Sequence, residues 1–322
     1  MRAIRVHETG GPEVLRVDTV PDPTPGAGEV LIDVEAIGVN FIEIYQREGW
    51  YQLPRPFILG AEGAGTVRAL GSGVTDLAVG DRVVSQRFKG AYAQRSVVLA
   101  EHAMRIPDGV SAKLAAAVWL QGLTAHYLSH SLYPVKPGDY ALVHAAAGGV
   151  GLLLCQMAKK RGATVIGTAS TPEKRKLAHD AGADEVIDYT TVDFSVEARR
   201  ITGGRGVDVV YDSVGKTTFD KSLDSLRRRG MLALFGQSSG PVPPMDPQTL
   251  NKKGSLFLSR PTLNDYLLTR AELVERGNEL LGWVKNGELS VRIGAEFKLD
   301  QAADAQRALA SRQTTGKVIL VP

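Results

Sequence analysis

Residues 140–170 read YALVHAAAGGVGLLLCQMAKKRGATVIGTAS. The run Tyr140–His144 is short and apolar, like a strand buried on both faces of a parallel sheet. Ala147, Gly148, Gly149 and Gly151 follow where the backbone must turn tightly, and a helix-like apolar segment comes next. Ala163–Thr168 then supplies a second apolar run at the distance a βαβ unit requires. Small residues at such a turn let phosphate oxygens reach the N–H groups of the helix N-terminus, so the stretch predicts a dinucleotide-binding unit.

Working outward, the rhythm of strand and helix continues through Glu185–Asp188, Val207–Tyr211, Met231–Phe235 and Ser255–Leu258. Six strands with crossover helices predict an α/β protein with a doubly wound parallel sheet. Upstream, residues 1–122 carry short alternating or apolar runs split by turn signals such as Thr9–Pro12, Pro21–Gly28 and Gly71–Gly73, the pattern of a mainly β, barrel-like domain. An Ala-rich helical stretch, Ser111–Gln121, connects the two. Downstream, Leu263–Asn286 reads as one long helix, followed by strand-like Ser290–Glu296, helical Leu299–Ser311 and strand-like Lys317–Val321. That α+β tail does not continue a parallel sheet and is expected back on the first domain. The expected division is residues 1–124 with 264–322 for the mainly β domain, and 125–263 for the dinucleotide-binding domain.

The chain has 322 residues, 43% hydrophobic and 23% charged, with a net charge of +3, which places it among folded globular chains rather than disordered ones. No window offers about 18 uninterrupted apolar residues, so no membrane partner is expected. The start, MRAIRVHETGGPEV, lacks the apolar core of a secretory signal, and a cytoplasmic location is the expectation. Basic clusters at Lys174–Lys176, Arg199–Arg200, Arg227–Arg229 and Lys252–Lys253 read as solvated helix faces without interleaved aromatics, so nucleic acid is not an expected partner. The one cysteine, Cys155, excludes intrachain disulfides and multi-cysteine metal sites, and its apolar neighbours make it a small buried hydrophobe.

An NAD-binding unit places an acid about 20 residues beyond the glycines to hold the ribose 2′-hydroxyl. Here the second strand ends Gly167-Thr168-Ala169-Ser170-Thr171-Pro172-Glu173-Lys174-Arg175, with no acid at its tip. Ser170 can donate a hydrogen bond and Lys174 or Arg175 can supply charge to a 2′-phosphate, so NADPH is the expected cofactor. Ser170 can equally cap the helix that starts near Pro172. His144 reads as a buried, hydrogen-bonded imidazole, and Asp212 as a residue that caps or orients a strand-end loop.

Further blocks carry a resemblance: GGPEVL at Gly10–Leu15, AIGVNFIEIYQREGWY at Ala36–Tyr51, GAEGAGTV at Gly60–Val67, GDRV at Gly80–Val83, QGLTAHYL at Gln121–Leu128, HAAAGGVG at His144–Gly151, VVYDSVG at Val209–Gly215, FGQSSG at Phe235–Gly240 and SRPTL at Ser259–Leu263. Nearly end to end, the chain resembles the zinc-free, zeta-crystallin-like quinone oxidoreductase branch of the medium-chain dehydrogenase/reductase superfamily. The resemblance implies a GroES-like catalytic domain, a Rossmann domain and an NADPH:quinone oxidoreductase activity. Zinc-dependent alcohol dehydrogenases of that superfamily have a ligand cysteine where this chain has Asn40, and a ligand histidine where it has Ala61 before Glu62. No metal site is therefore expected, and an alcohol substrate is disfavoured.

By resemblance, Asn40 and Tyr45 lie beside the nicotinamide ribose or ring, and Tyr51 near the acceptor, where a phenol can donate to a developing oxyanion. Thr124 is implied near the nicotinamide, Gly149 and Val150 at the pyrophosphate, and Ser170, Lys174 and Tyr189 around the 2′-phosphate and base. Ser213, Phe235, Gly236 and Ser238 would form strand-end loops over the cofactor, Phe257, Leu258 and Ser259 would flank the nicotinamide, and Lys317 would contribute from the C-terminal segment. Two other readings remain open: a zinc-free NADPH-dependent reductase of α,β-unsaturated carbonyls, and an NADPH-binding structural or RNA-binding protein. A homodimer is expected through the last strand of the sheet, because an apolar unpaired edge is usually covered.

Overall fold

In the computed structural model, which describes residues 1–322, the chain opens with an antiparallel pair, β1 (Arg2–Val6) and β2 (Leu15–Thr19). There follow β3 (Glu29–Val39), helix α1 (Phe41–Arg47), β4 (Phe57–Ile58), β5 (Gly63–Leu70), β6 (Arg82–Ser85), β7 (Arg95–Leu99), β8 (Met104–Arg105) and helix α2 (Ala112–Tyr127). The alternating strand chemistry of the first residues thus builds a mainly β unit. Its larger sheet is completed by the end of the chain, where β15 (Ile293–Lys298) and β16 (Lys317–Val321) flank α9 (Ala302–Ala310).

Strand β3 is the hub of that sheet, antiparallel to β5, β7 and β16. Its inward residues Val30, Ile32, Ile37 and Val39 are buried with Val318 and Leu320 of β16 in one apolar core. The register pairs Val318 with Val39 and Ile319 with Gly38, which brings Lys317 level with Asn40, the residue that starts α1.

The second unit carries β9 (Tyr140–Val143), α3 (Gly149–Lys160), β10 (Thr164–Ala169), α4 (Pro172–Asp180), β11 (Glu185–Asp188), α5 (Phe194–Ile201), β12 (Val207–Asp212), α6 (Phe219–Ser225), β13 (Leu226–Leu234), α7 (Gln248–Lys252) and β14 (Phe257–Ser259). The sheet is six-stranded, every pair is parallel, and its order is β11-β10-β9-β12-β13-β14. This is the expected doubly wound arrangement. Its order reverses between β9 and β12, the place where such sheets open a crevice at their carboxyl ends. Leu142, Ile166, Ile187, Val210 and Leu232, one from each of five strands, share its core.

The compact units are residues Met1–Leu123 with Thr269–Pro322, and Thr124–Leu268. The segment read as one helix from Leu263 is broken: Leu263–Tyr266 is a single 3-10 turn, and α8 runs only over Arg270–Lys285. Thr269 and Glu272 form a reciprocal capping box that fixes the helix start later than apolar periodicity implied. The last sheet strand is also shorter than Ser255–Leu258. Ser255 has φ of 56°, a left-handed conformation incompatible with a strand, so β14 starts at Phe257.

Candidate functional site

The turn after β9 is built to receive an anion. Gly148 is the N-cap of α3, no side chain caps that terminus, and no acid lies in its first turn. The first N–H groups, those of Gly149 and Val150 among them, therefore keep their donor capacity and the positive end of the helix dipole. At Gly151 a β-carbon would stand 2.3 Å from the carbonyl oxygen of Ala145, so only glycine lets helix and turn approach this closely. A pyrophosphate fits the chemistry of this cradle.

At the end of β10 the cap of α4 is Thr171 rather than Ser170, with Thr171 Oγ1 accepting from the Lys174 N–H at 3.3 Å. Ser170 is half-buried and not used as the cap. Of the two cations that follow, Arg175 is bonded to Asp188 at 2.5 Å. Asp188 also accepts from the Thr190 hydroxyl at 2.6 Å, and that bond leads the causes holding its carboxyl below the usual range. Lys174 follows in the first turn of α4, and Tyr189 is exposed two strands from the glycine turn.

A buried polar chain ties these strand ends together. His144 Nδ1 lies 3.1 Å from Thr168 Oγ1 and Nε2 3.0 Å from Ser222 Oγ, while Ser222 Oγ donates to Asp212 Oδ2 at 2.8 Å. With the Ser222 proton given to Asp212, the imidazole donates through Nε2 and accepts from Thr168 through Nδ1. Burial pushes the His144 pKa down, with Asp212 partly opposing, so the ring is structural and neutral rather than a base. The Asp212 carboxylate also accepts from Val214 N at 2.8 Å and Gly215 N at 3.0 Å, orienting the loop that holds Ser213. Both readings, of a buried His144 and a loop-orienting Asp212, hold.

The neighbouring loop is locked to it. Ser238 N donates to Ser213 O at 3.1 Å, and a β-carbon on Gly236 would stand 2.6 Å from the same oxygen. Phe235, Gly236, Ser238, Leu258 and Ser259 are half-buried, Thr124 is buried, and Phe257 is 56% exposed on the edge strand. The candidate residues of this unit thus lie just beyond the carboxyl ends of β9, β10, β12 and β13 and in β14 itself, apart from Thr124 in α2 and Tyr189 just beyond β11.

In the first unit Asn40 is buried, and its amide is committed within the protein. Nδ2 donates to Glu62 Oε2 at 2.9 Å, and Oδ1 accepts from Lys317 Nζ at 2.7 Å. The amide expected beside the ribose or ring is thus tied to Glu62 and Lys317 within its own unit. Lys317, expected at the cofactor, is 1% exposed and ion-paired with Glu62, which is itself fully buried and accepts from Leu120 N at 2.6 Å. Glu43 Oε2 accepts from Asn40 N at 2.6 Å in a capping box, and burial pushes its pKa up to about 7. Tyr45 is buried and stacks on Trp50 at 4.9 Å and 5°, with Tyr51 6.2 Å away and 42% exposed.

Sequence reasoning missed Glu43, although Asn40-x-x-Glu43 is a legible capping box, and it missed the partnership of Lys317 with Glu62. Those two residues are 255 positions apart, so no local pattern signals their pairing. No group of three or more His, Cys, Asp or Glu side chains is arranged to hold a metal ion.

Residues 26–128 match the alcohol dehydrogenase GroES-like domain family and residues 149–272 the zinc-binding dehydrogenase family. Quinone oxidoreductase 1 of Escherichia coli is 45% identical over 99% of this chain and 99% of its own length. A 2-haloacrylate reductase from a Burkholderia species is 42% identical over 98% of each chain. A mycobacterial structure complexed with NADPH superposes with a TM-score of 0.98 at 51% identity, covering 100% of both chains.

Proposed function

This chain belongs to the quinone oxidoreductase family of the medium-chain dehydrogenase/reductase superfamily, and from that premise we propose that it reduces a quinone with NADPH and without a metal ion. The observation that carries the reading is the uncapped N-terminus of α3 over its glycine turn, followed by a β10 strand tip that carries Ser170 and no acid, with Lys174 in the next turn. NADPH, when bound, supplies the hydride. The full-length mycobacterial relative was solved with that nucleotide.

Gly149 and Val150 donate backbone N–H groups to the pyrophosphate. Ser170 and Lys174 take the 2′-phosphate, and Tyr189 packs on the adenosine. Thr124, Ser213, Phe235, Gly236, Ser238, Phe257, Leu258 and Ser259 position the nicotinamide half, and Tyr45 and Tyr51 serve the acceptor side. Asn40 and Lys317 act from behind, through the network that holds α1. Positioning supplies most of the rate, because quinone reduction needs only a hydride and an easily won proton.

The donor set supports metal independence. An amide at Asn40 and a methyl at Ala61 do not replace a thiolate and an imidazole, and Glu62 is already occupied by Lys317, Asn40 and Leu120 N. Residence in the cytoplasm accords with a single buried thiol. A homodimer through β14 accords with its exposed Phe257 at the sheet edge; a monomer at micromolar concentration in light scattering would count against it.

The test is oxidation of NADPH by purified protein with 1,4-benzoquinone and a naphthoquinone, compared with NADH. Turnover that prefers NADPH is expected, and no turnover with either acceptor and either nucleotide would refute the reading. The similarity to a 2-haloacrylate reductase favours a second reading, reduction of an activated alkene by the same hydride geometry. A higher kcat/KM for enones than for quinones would select it.

A further inference from the structure

We propose that Lys317 is the fixed internal cation of the first unit, a positioning residue whose ammonium holds Asn40 and Glu62 together and thereby sets α1 and its Tyr45 for reduction of the acceptor. Three groups that ordinarily seek water are withdrawn from it here: Lys317 is 1% exposed, Glu62 0% and Glu43 0%. Removing one ammonium and one carboxylate from water costs several kcal/mol for each ion, and replacing such a pair by apolar residues is often neutral or stabilising. Stability alone gives no reason for this arrangement; position does.

The ammonium lies where four parts of the chain converge. It donates to Asn40 Oδ1 at 2.7 Å and to Glu62 Oε2, while Glu62 Oε1 accepts from Leu120 N in α2 at 2.6 Å. The register of β16 on β3 delivers Lys317 to this point. Space for the pair comes from Gly38 in β3, where a β-carbon would stand 1.9 Å from Glu62 Oε2 and 2.8 Å from Lys317 Cε.

Asn40 is the N-cap of α1, and Glu43 returns its carboxylate to the Asn40 N–H. A cation that fixes the Asn40 side chain therefore fixes the first turn of the helix that carries Tyr45 and, through the ring stack, Trp50. The charged and titratable groups around Glu43 are Lys317, Glu62, the fully buried Tyr92 and Arg47 beyond it, and Lys317 leads the influences that favour its ionised form.

The experiment compares wild type with K317M, the double variant K317M/E62Q and W50F. Three quantities are read: the Trp50 contribution to fluorescence, taken as the difference from W50F; the dissociation constant for NADPH; and kcat and KM with 1,4-benzoquinone. K317M is expected to shift the Trp50 emission and lower kcat by on the order of tenfold to a hundredfold, with NADPH affinity kept within about threefold. The kinetic readout rests on the proposed quinone reduction; if wild type shows no turnover, that reading fails, while the emission shift still decides the positioning role. Unchanged emission in K317M overturns the proposal, as does loss of NADPH affinity equal to the loss of kcat, which would make Lys317 a cofactor contact. Should K317M not fold, the double variant removes both charges together, and the same emission shift in it supports the proposal. Wild-type emission in the double variant, or its failure to fold, overturns it.

Discussion

The Arg175 guanidinium is bonded to the Asp188 carboxylate at 2.5 Å, joining the first turn of α4 to the end of β11. Arg175 is thereby engaged, and the proposed function assigns charge recognition of a 2′-phosphate to Lys174 with the hydroxyl of Ser170. K174M is expected to raise KM for NADPH by roughly tenfold to a hundredfold, the worth of about 1.5–3 kcal/mol for a hydrogen bond to a charged group, and to leave KM for NADH nearly unchanged. S170D should repel the phosphate and accept from a ribose hydroxyl, moving preference toward NADH. Steady-state kinetics with both nucleotides check this; equal losses for NADPH and NADH in K174M would remove Lys174 from the phosphate site.

His144 makes stability depend on acid. Its folded pKa is depressed by burial, so between the unfolded histidine value of about 6.5 and the lower folded value the unfolded chain binds the extra proton. The neutral ring's full contribution is present above about pH 6.5, and stability then falls by at most about 1.4 kcal/mol per pH unit as pH drops toward the folded value. Urea unfolding of wild type and H144N from pH 8 to pH 5 should show a steeper loss below pH 6.5 in wild type. Parallel curves would show that the imidazole does not titrate on unfolding.

Gly151 allows no side chain. Because a β-carbon would meet the Ala145 carbonyl at 2.3 Å, and the obstacle is backbone, G151A must push α3 away from its turn. Overpacking of this kind costs about 1–3 kcal/mol, and the N–H groups of the cradle move with it. Isothermal titration should find NADPH affinity reduced by at least about tenfold. Wild-type affinity in a folded G151A would detach the turn from nucleotide binding.

Much of this arrangement is legible in the sequence alone. The glycine turn and the apolar runs around it announced the six-stranded sheet, because strand period, turn chemistry and helix start are all written within a few residues. What escaped was non-local or competitive. Thr171 took the cap of α4 that Ser170 could equally have made, since adjacent hydroxyls carry the same signal. The start of α8 was masked by apolar residues upstream of the Thr269–Glu272 box. The Asn40–Glu62–Lys317 network depends on pairing β16 with β3, and the resemblance implied only an asparagine in place of a cysteine.

Tyr45 and Tyr51 differ in what their loss should do. Tyr45 is buried and stacked face to face on Trp50, so Y45A removes an aromatic support and is expected to destabilise the first unit by about 3 kcal/mol and to change Trp50 emission. Tyr51 is 42% exposed, so water reaches the same surroundings and can deliver the proton that completes a hydroquinone. A required general acid contributes about 10²–10⁴-fold, whereas Y51F should lower kcat with 1,4-benzoquinone by no more than about threefold. Its kcat should also show little change in solvent deuterium isotope effect. A loss of about 100-fold in Y51F, with NADPH affinity intact, would instead make the Tyr51 phenol the proton donor to the acceptor.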